Sequence, residues 1–224
     1  MDSNLTFYDQ LLQFRLFQGM SHGELLQMAG NTRFGFQKLP AGQWLAREGD
    51  ACDRLLFLIK GTLSLSTSSA DHSYTFVERL SAPWLLQPDA LFGLTPRYTC
   101  DVRLESDCQF ITLSKDEVLR LLDDFLIFRL NLLNAFAASA QRVWARHWRR
   151  SAHTLEERII RFFTDRVVYP AGYKEVHILM SQLAIEVADT RLNVSRVLNQ
   201  LRDRQLIELH RGNIVIPSLE RLLM

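Results

Sequence analysis

The sequence predicts an α+β fold in three parts: an N-terminal antiparallel β roll of the jelly-roll kind, one long helix, and a C-terminal winged helix-turn-helix. Short apolar runs recur at roughly ten-residue spacing between residues 31 and 114, separated by turn residues, which is typical of a β sandwich or roll. Helical periodicity replaces this pattern from residue 124. The remaining sequence predicts three helices followed by a strand pair around a tight turn.

The β roll is assigned to residues 1–123, as a sensor domain. Residues 5–30 have helical spacing, and the strands begin after them. The clearest pair of strands is "RLLFLIKGTLSLS", with a turn at Lys60-Gly61, and "YTFVERL", "YTCDVRL" and "CQFITLS" continue the pattern. The N-terminus lacks the basic run and apolar core of a secretory signal, and no apolar stretch reaches the roughly 18 residues of a membrane span. We therefore expect a cytoplasmic protein that does not enter a membrane.

Residues 124–150 are predicted to form one helix, about 40 Å long. An apolar stripe steps along this helix by three or four residues: Phe125, Phe128, Leu132, Phe136, Ser139 and Val143. Small residues at 137–140 favour close packing of a second helix, so we predict a homodimer through residues 124–148. The alternative is that the stripe covers only the core of its own chain.

Residues 151–224 predict a winged helix-turn-helix. "TLEE" at residues 154–157 is a capping box that begins a helix, and "KEVHILM" is a short strand. Helices are expected at about 181–187 and 191–203, with Ser181 and Thr190 as their N-caps. A tight turn at Arg211-Gly212-Asn213 joins the two strands of the wing.

The stretch "ADTRLNVSRVLNQL" predicts a recognition helix. Val194, Leu198 and Leu201 fall on one face and hold the helix against the domain, which leaves polar and basic residues on the other face. The N-terminal part of such a helix enters the major groove of double-stranded DNA, where Arg, Asn and hydroxyl groups read bases or bind phosphates. The candidate DNA-binding residues are Ser181, Thr190, Arg191, Leu192, Asn193, Ser195 and Arg196.

The distribution of charge supports a polyanion-binding C-terminal part. Residues 140–224 hold 14 of the 26 Lys/Arg residues but only 9 of the 25 Asp/Glu residues.

The sequence has three cysteines at irregular spacing, Cys52, Cys100 and Cys108. An odd number at such spacing favours buried reduced thiols over a metal-ligand set or a disulfide framework. We predict no metal site and no cofactor.

The chain resembles the cyclic-AMP receptor and fumarate–nitrate regulator (Crp/Fnr) family of bacterial transcription regulators over nearly all of its length. Gly42, Gly49 and Gly61 in "LPAGQWLAREGD" and "LLFLIKGTLSLS" resemble the β-roll signature of that family. "TRLNVSRVLNQLRDRQLIELHRGNIVI" resembles its recognition helix and wing. The resemblance implies a homodimer with an effector-sensing, cyclic-nucleotide-binding-like β roll, and RNA polymerase as a further partner.

The resemblance also implies roles for individual residues of the recognition helix. Arg191 and Arg196 match the recognition-helix arginines, and Thr190 matches the phosphate-contacting hydroxyl before them. Leu192 occupies the position where an acidic residue usually reads a base.

The cyclic-nucleotide site of the family is degenerate here, in "APWLLQPDALFGLTPRYTCDV". The Gly-Glu pair that holds the ribose falls on Gln87-Pro88, and the Arg-Thr pair falls on Tyr98-Thr99, with Arg97 one place early. A shift of one residue turns a strand side chain to the other face, and a buried phosphate would then lack its charged partner. The dimer-helix pair that faces the nucleotide falls on Val143-Trp144. We therefore predict an effector other than cyclic AMP, or constitutive activity.

Six positions form the candidate effector pocket: Gln87, Asp89, Tyr98, Thr99, Val143 and Trp144. The alternative is that Tyr98 and Trp144 simply fill the core.

Two other functions stay open for the whole chain. A cupin-like enzyme would need histidines and carboxylates at metal-ligand spacing, and the six histidines do not cluster in the β region. A sensor module whose helix-turn-helix contacts only protein would differ in having no salt-dependent affinity for DNA.

Overall fold

The computed structural model describes residues 7–223, which fold as two compact units. The first unit contains the chain up to Leu63, Leu80–Thr99 and Arg103–His147, and the second contains Ser64–Arg79, Cys100–Val102 and the chain from Trp148 onward. The predicted combination of antiparallel strands, a long helix and a helix-turn-helix with a wing is confirmed. Residues 5 and 6 of the predicted N-terminal helical segment lie outside the described range.

The elements have the following bounds. The α-helices are α1 Phe7–Leu12, α2 His22–Asn31, α3 Lys115–Asp124, α4 Leu126–His147, α5 Leu155–Asp165, α6 Met180–Glu186 and α7 Arg191–Asp203. The strands are β1 Gly35–Leu39, β2 Trp44–Ala46, β3 Arg54–Lys60, β4 Thr62–Ser68, β5 Tyr74–Ser81, β6 Trp84–Leu86, β7 Asp101–Leu104, β8 Cys108–Ser114, β9 Lys174–Ile178, β10 Glu208–His210 and β11 Asn213–Ile216. Short 3₁₀ turns lie at Arg15–Phe17, Pro88–Leu91 and Leu219–Leu222.

The first unit contains a four-stranded antiparallel sheet in the order β1-β8-β3-β6. The apolar run of β3 is buried from Leu55 to Leu58, because the strand is covered on both faces. Phe57 lies at the centre of the aromatic core, with its ring centroid 5.0 Å from that of Phe14 and 5.5 Å from that of Phe17. This core fixes the start of α4, since Phe17 also contacts Phe128 at 5.5 Å.

The predicted turn at Lys60-Gly61 is confirmed, and it passes the chain from the sheet of β3 to the sheet of β4. Gly61 has a φ of +105°, and a Cβ atom there would lie 2.6 Å from Cys108 Sγ. Both the backbone angle and the close approach therefore require glycine at this position.

The long helix predicted at residues 124–150 extends from 126 to 147, and Phe125, whose φ of −125° and ψ of 104° are extended, separates it from α3. This helix is α4, and it has 22 residues. Phe125, Phe128 and Leu132 are buried within their own chain. The part of the sequence prediction that placed these three side chains in a seam between two chains is wrong, because the core of the first unit already covers them.

The second unit is a winged helix-turn-helix, and its strands β10, β11, β9, β5 and β4 are successive neighbours, in that order, in a seven-stranded sheet. The predicted capping box of α5 is confirmed, with Thr154 and Glu157 exchanging hydrogen bonds. The predicted capping of α6 by Ser181 is wrong, because the helix begins one residue earlier and Leu179 occupies the cap without a side-chain hydrogen bond. The strand β5 also joins this sheet, so the sheet is larger than the three C-terminal strands that the sequence predicts.

Candidate nucleic-acid interface and effector groove

The recognition helix α7 is anchored on one face and open on the other. Val194, Leu198 and Leu201 are fully buried in the core of the second unit, as their spacing predicts. Thr190 caps the helix, and its Oγ1 accepts a hydrogen bond from the Asn193 amide at 3.3 Å. The hydroxyl proton of Thr190 stays available, because the capping bond uses only an oxygen lone pair.

Three predicted DNA-binding side chains project from the open face of α7. Arg191, Leu192 and Arg196 are all exposed, and Leu192 has 69% of its surface accessible. Neither arginine forms a hydrogen bond or an ion pair with another residue in the range 7–223. Two unpaired guanidinium groups beside an exposed leucine give this face both charge-assisted donors and an apolar contact surface.

The turn between α6 and α7 is held by a residue that the sequence analysis did not include in the site. Arg158 of α5 donates from Nε to the Val187 carbonyl at 2.9 Å and from Nη2 to Asp189 Oδ2 at 2.6 Å. Ala188, between them, has a φ of +50°. The arginine therefore bonds the residues on both sides of a left-handed backbone position that the turn requires. This contact could not be predicted from the sequence, because a single arginine in an amphipathic helix does not indicate which residues it will contact.

Asn193 is occupied by a contact within the turn. Its Nδ2 donates to Asp189 Oδ1 at 2.8 Å, and the Thr190 amide donates to the same oxygen at 2.8 Å. These hydrogen bonds, with Arg158, lower the pKa of Asp189 below its ordinary value. The amide of Asn193 thus links the start of α7 to the turn before it.

The other predicted interface residues have different surroundings. Ser195 is half-buried and accepts a hydrogen bond from Asn199 Nδ2 through its carbonyl at 2.8 Å. Ser181 is exposed on α6. The wing adds Arg211, which is exposed at the tight turn before Gly212, where φ is +71°. Its position at the tip of the β10–β11 hairpin makes it a further candidate for phosphate contact.

An open groove of about 360 Å³ lies in the first unit, beside the C-terminal half of α4. Its lining residues are Asp89, Phe92, Gly93, Phe136, Ser139, Ala140 and Val143. Two of the six predicted pocket residues, Asp89 and Val143, therefore line it. The walls are mostly apolar, so the groove suits a hydrophobic or aromatic ligand group better than a phosphate.

The other four predicted pocket residues do not line this groove. Gln87 is buried with a φ of +32°, and its Oε1 accepts a hydrogen bond from the Thr99 amide at 3.1 Å. Tyr98 is buried, and desolvation together with the neighbouring Cys52 raises the pKa of its phenol. Trp144 is exposed on α4. The structure thus pairs Gln87 with Thr99 and places Tyr98 in the core.

A second apolar stripe on α4 is exposed. It consists of Leu126, Leu130, Leu133, Ala137, Ala140 and Trp144. The steps alternate between four and three residues, which is the heptad pattern of a helix that packs against another helix. At about 100° per residue, this stripe lies roughly a third of a turn around the helix from the buried Phe125–Phe128–Leu132 stripe.

Two kinds of feature are absent from the described residues, a membrane-spanning helix and a metal-ligand cluster. Among residues 7–223, no helix combines the length and apolar character needed to cross a lipid bilayer. In the same range, no three His, Cys, Asp or Glu side chains lie close enough together to hold a metal ion. The cysteines at 52, 100 and 108 are buried, and none of the three forms a disulfide.

Comparison with protein families identifies two regions of the chain. Residues 36–125 match the cyclic nucleotide-binding domain family, and residues 157–224 match the Crp-like helix-turn-helix domain family. No curated protein matches the sequence as a whole.

Solved structures resemble the chain over most of its length. It is similar to the catabolite activator protein of Thermus thermophilus, with 17% identity over 94% of this chain and 97% of the other, at a TM-score of 0.51. It is also similar to a crp/fnr-family transcriptional regulator from Eubacterium rectale, with 16% identity over 94% and 96% of the chains, at a TM-score of 0.50. The sensor domain of the regulator DNR from Pseudomonas aeruginosa matches 65% of this chain and 99% of its own, with 20% identity and a TM-score of 0.50. At these identities, the likenesses establish the fold.

Proposed function

This chain belongs to the Crp/Fnr family of transcription regulators, and from this premise we propose that it is a homodimer that binds a specific DNA sequence. The observation that carries the proposal is the open face of α7, where Arg191, Leu192 and Arg196 project from a helix whose other face is buried. The proposal gives the protein no enzymatic activity and places it in the cytoplasm, with DNA and RNA polymerase as partners.

The chemistry of the α7 face suits the major groove. An arginine fork matches the two acceptors on the edge of guanine, while a leucine can contact only an apolar group such as the methyl of thymine. The free hydroxyl proton of Thr190 is suited to a phosphate oxygen at the end of the helix. In this proposal Arg191 and Arg196 are the charged contacts, Leu192 is an apolar base contact, and Arg211 of the wing binds phosphate.

The exposed stripe on α4 supports the dimer. Leu126, Leu130 and Leu133 together expose a continuous apolar strip that a second copy of the helix would cover. The small side chains at 137 and 140 allow two backbones to approach closely farther along the same strip. A twofold dimer presents two recognition helices to half-sites about 34 Å apart.

The residues around Gln87 do not suit cyclic AMP. The glutamate that would hold the ribose hydroxyls is replaced by Pro88, which has no polar side-chain group, and the Oε1 of the neighbouring Gln87 already accepts the Thr99 amide hydrogen. Arg97 donates to the Gly49 carbonyl at 2.6 Å and is exposed. We propose that the protein responds to a different effector, bound in the apolar groove beside Phe136, or that it is constitutively active.

Titration of the pure protein with labelled duplex DNA tests the proposal. Binding should weaken steeply as salt rises from 50 to 200 mM, since phosphate contacts release counterions; the slope on a logarithmic plot counts those contacts. Arg211→Ala should reduce the slope by about one. The absence of any salt-dependent binding would favour a module that contacts only protein.

A further inference from the structure

Strand β5 lies within the region that matches the cyclic nucleotide-binding family, yet it folds as part of the winged helix. It pairs antiparallel with β9 from Tyr74 opposite Ile178 to Glu78 opposite Lys174. Phe76, on the same strand, is buried in the core that also holds α7, and its ring centroid lies 5.6 Å from that of Phe162. The core of the DNA-binding unit is therefore incomplete without a strand from the sensor sequence.

A buried polar cluster fixes this strand in place. Glu78 and Lys174 have at most 2% of their side-chain surface exposed, and Lys174 Nζ lies 3.2 Å from Glu78 Oε2. Lys174 also donates to the Ala171 carbonyl at 2.8 Å. Glu78 Oε1 accepts from the Val168 amide at 2.7 Å, and Oε2 accepts from the Tyr169 amide at 3.0 Å. One carboxylate thus satisfies a buried ammonium group and two backbone donors of the loop between α5 and β9.

A second link runs from β5 to the helix-turn-helix itself. The Tyr74 hydroxyl accepts a hydrogen bond from Arg166 Nε at 2.8 Å, and Arg166 Nη2 lies 3.0 Å from Glu186 Oε2. Glu186 is the last residue of α6, directly before the turn that leads to α7. Displacement of β5 would therefore remove support from both the α5–β9 loop and the first helix of the motif.

We infer that DNA binding requires β5 as a strand of the sheet in the DNA-binding unit, and that Glu78 is a positioning residue for DNA binding. The inference rests on the proposed function for the binding step. A buried charge without its partner is strongly disfavoured, whereas an apolar or neutral pair of the same size is tolerated. Loss of the Glu78 carboxylate removes the anion beside the buried Lys174 and the acceptor of two backbone donors, and the Ala171 carbonyl alone does not replace it, so the α5–β9 loop and β5 should separate.

Three full-length variants and one control test the inference. Glu78→Gln breaks the buried ion pair, Lys174→Met leaves the carboxylate with its two backbone donors but without its cation, and the double variant Glu78→Gln/Lys174→Met removes both charges. The control is Arg79→Gln, on the other face of the same strand, which removes a partly exposed ion pair with Glu175 at 3.2 Å and a contact with the Tyr173 ring at 4.2 Å but leaves the Glu78 cluster intact. Each of these four proteins is compared with the wild type at a temperature where circular dichroism shows that both are folded.

Two readouts are measured for each variant: hydrogen exchange of residues 166–178 and affinity for duplex DNA. Both single variants should exchange at least tenfold faster in this segment and bind DNA at least tenfold more weakly. The double variant should recover part of both losses, because the glutamine of Glu78→Gln can accept from only one of the two backbone donors, and Arg79→Gln should stay within about threefold of the wild type. If a single variant does not fold, the return of both readouts in the double variant supports the inference. Unchanged exchange and affinity in a folded Glu78→Gln protein, or an equal loss in Arg79→Gln, would overturn it. A wild-type protein that binds no DNA would refute the proposed function instead, and the exchange arm would still report the role of Glu78 in holding β5.

Discussion

Asn193 Nδ2 donates a hydrogen bond to Asp189 Oδ1 at 2.8 Å, and this bond engages a side chain that the sequence predicts as a DNA contact. We predict that Asn193→Ala lowers the free energy of unfolding by about 1 kcal/mol, the usual contribution of one such bond. The base preference of the protein should stay the same, because the exposed side chains of α7 are unaltered. Denaturant unfolding and sequence selection from random DNA measure the two effects. A changed base preference with unchanged stability would show that the amide leaves Asp189 and reads DNA.

Arg196 is predicted to read a guanine. Arg196→Ala should relax the preference at one base pair in each half-site, since a bidentate contact contributes roughly 1–3 kcal/mol of discrimination. Selection from random duplexes by the wild type and the variant measures this change. A uniform loss of affinity across all sequences, with a smaller salt slope, would instead assign Arg196 to a phosphate.

Leu192 is predicted to contact an apolar group, most simply the thymine methyl. Leu192→Glu should move the preferred base toward cytosine, whose amino group is a hydrogen-bond donor. The same selection, run in parallel, compares the two proteins. An identical selected site would mean that Leu192 does not face the DNA, although it is exposed.

Leu133→Asp is predicted to convert the dimer into monomers. The leucine lies at the middle of the exposed stripe of α4, where a charge without a partner would be buried between two helices. Asn134→Asp is the matched control, because residue 134 is also exposed but points about 80° away from the centre of the stripe. Sedimentation equilibrium should find monomers for the first variant and dimers for the second. If both variants are dimers, the exposed stripe of α4 is not the dimer interface.

Glu220 is predicted to make the fold sensitive to acid. Hydrogen bonds from the Ser218 hydroxyl and the Gly172 amide lower the pKa of its carboxyl from 4.5 to about 2. A lowered pKa in the folded state means that the carboxylate stabilises the fold above pH 4.5, and that this contribution is lost as the pH falls toward 2. The difference in unfolding free energy between the wild type and Glu220→Gln should therefore shrink between pH 5 and pH 2. A constant difference would contradict this role.

Periodicity and capping signals predicted the elements of the fold well. The burial of Val194 and Leu198 follows from spacing along one helix, and the cap at Thr190 follows from a local hydrogen bond. Such features depend on neighbours within a few residues, so the sequence contains the information for them.

Contacts between residues far apart in the chain could not be predicted in the same way. Glu78 and Lys174 are distant in sequence, and neither a charged residue in a strand nor a lysine after a turn indicates a partner. The stripe of α4 was ambiguous for the same reason, because a spacing of three or four residues fits a face covered by its own chain as well as one covered by a second chain. Only the folded structure shows that Phe128 is buried in its own chain whereas Leu133 is exposed. Arg158 was missed as a support of the turn because its partners lie on two other elements.

The most direct test of sequence-specific binding compares two duplexes of equal length and composition at one salt concentration. One is the site selected from random DNA by the wild-type protein, and the other is a scrambled version of it. A dimeric, sequence-specific regulator should select a twofold-symmetric site whose half-sites are about 34 Å apart and bind it at least 10³-fold more tightly than the scrambled duplex. Equal affinity for the two duplexes, with the same salt slope, would contradict sequence-specific binding and show that the α7 face only binds phosphates non-specifically.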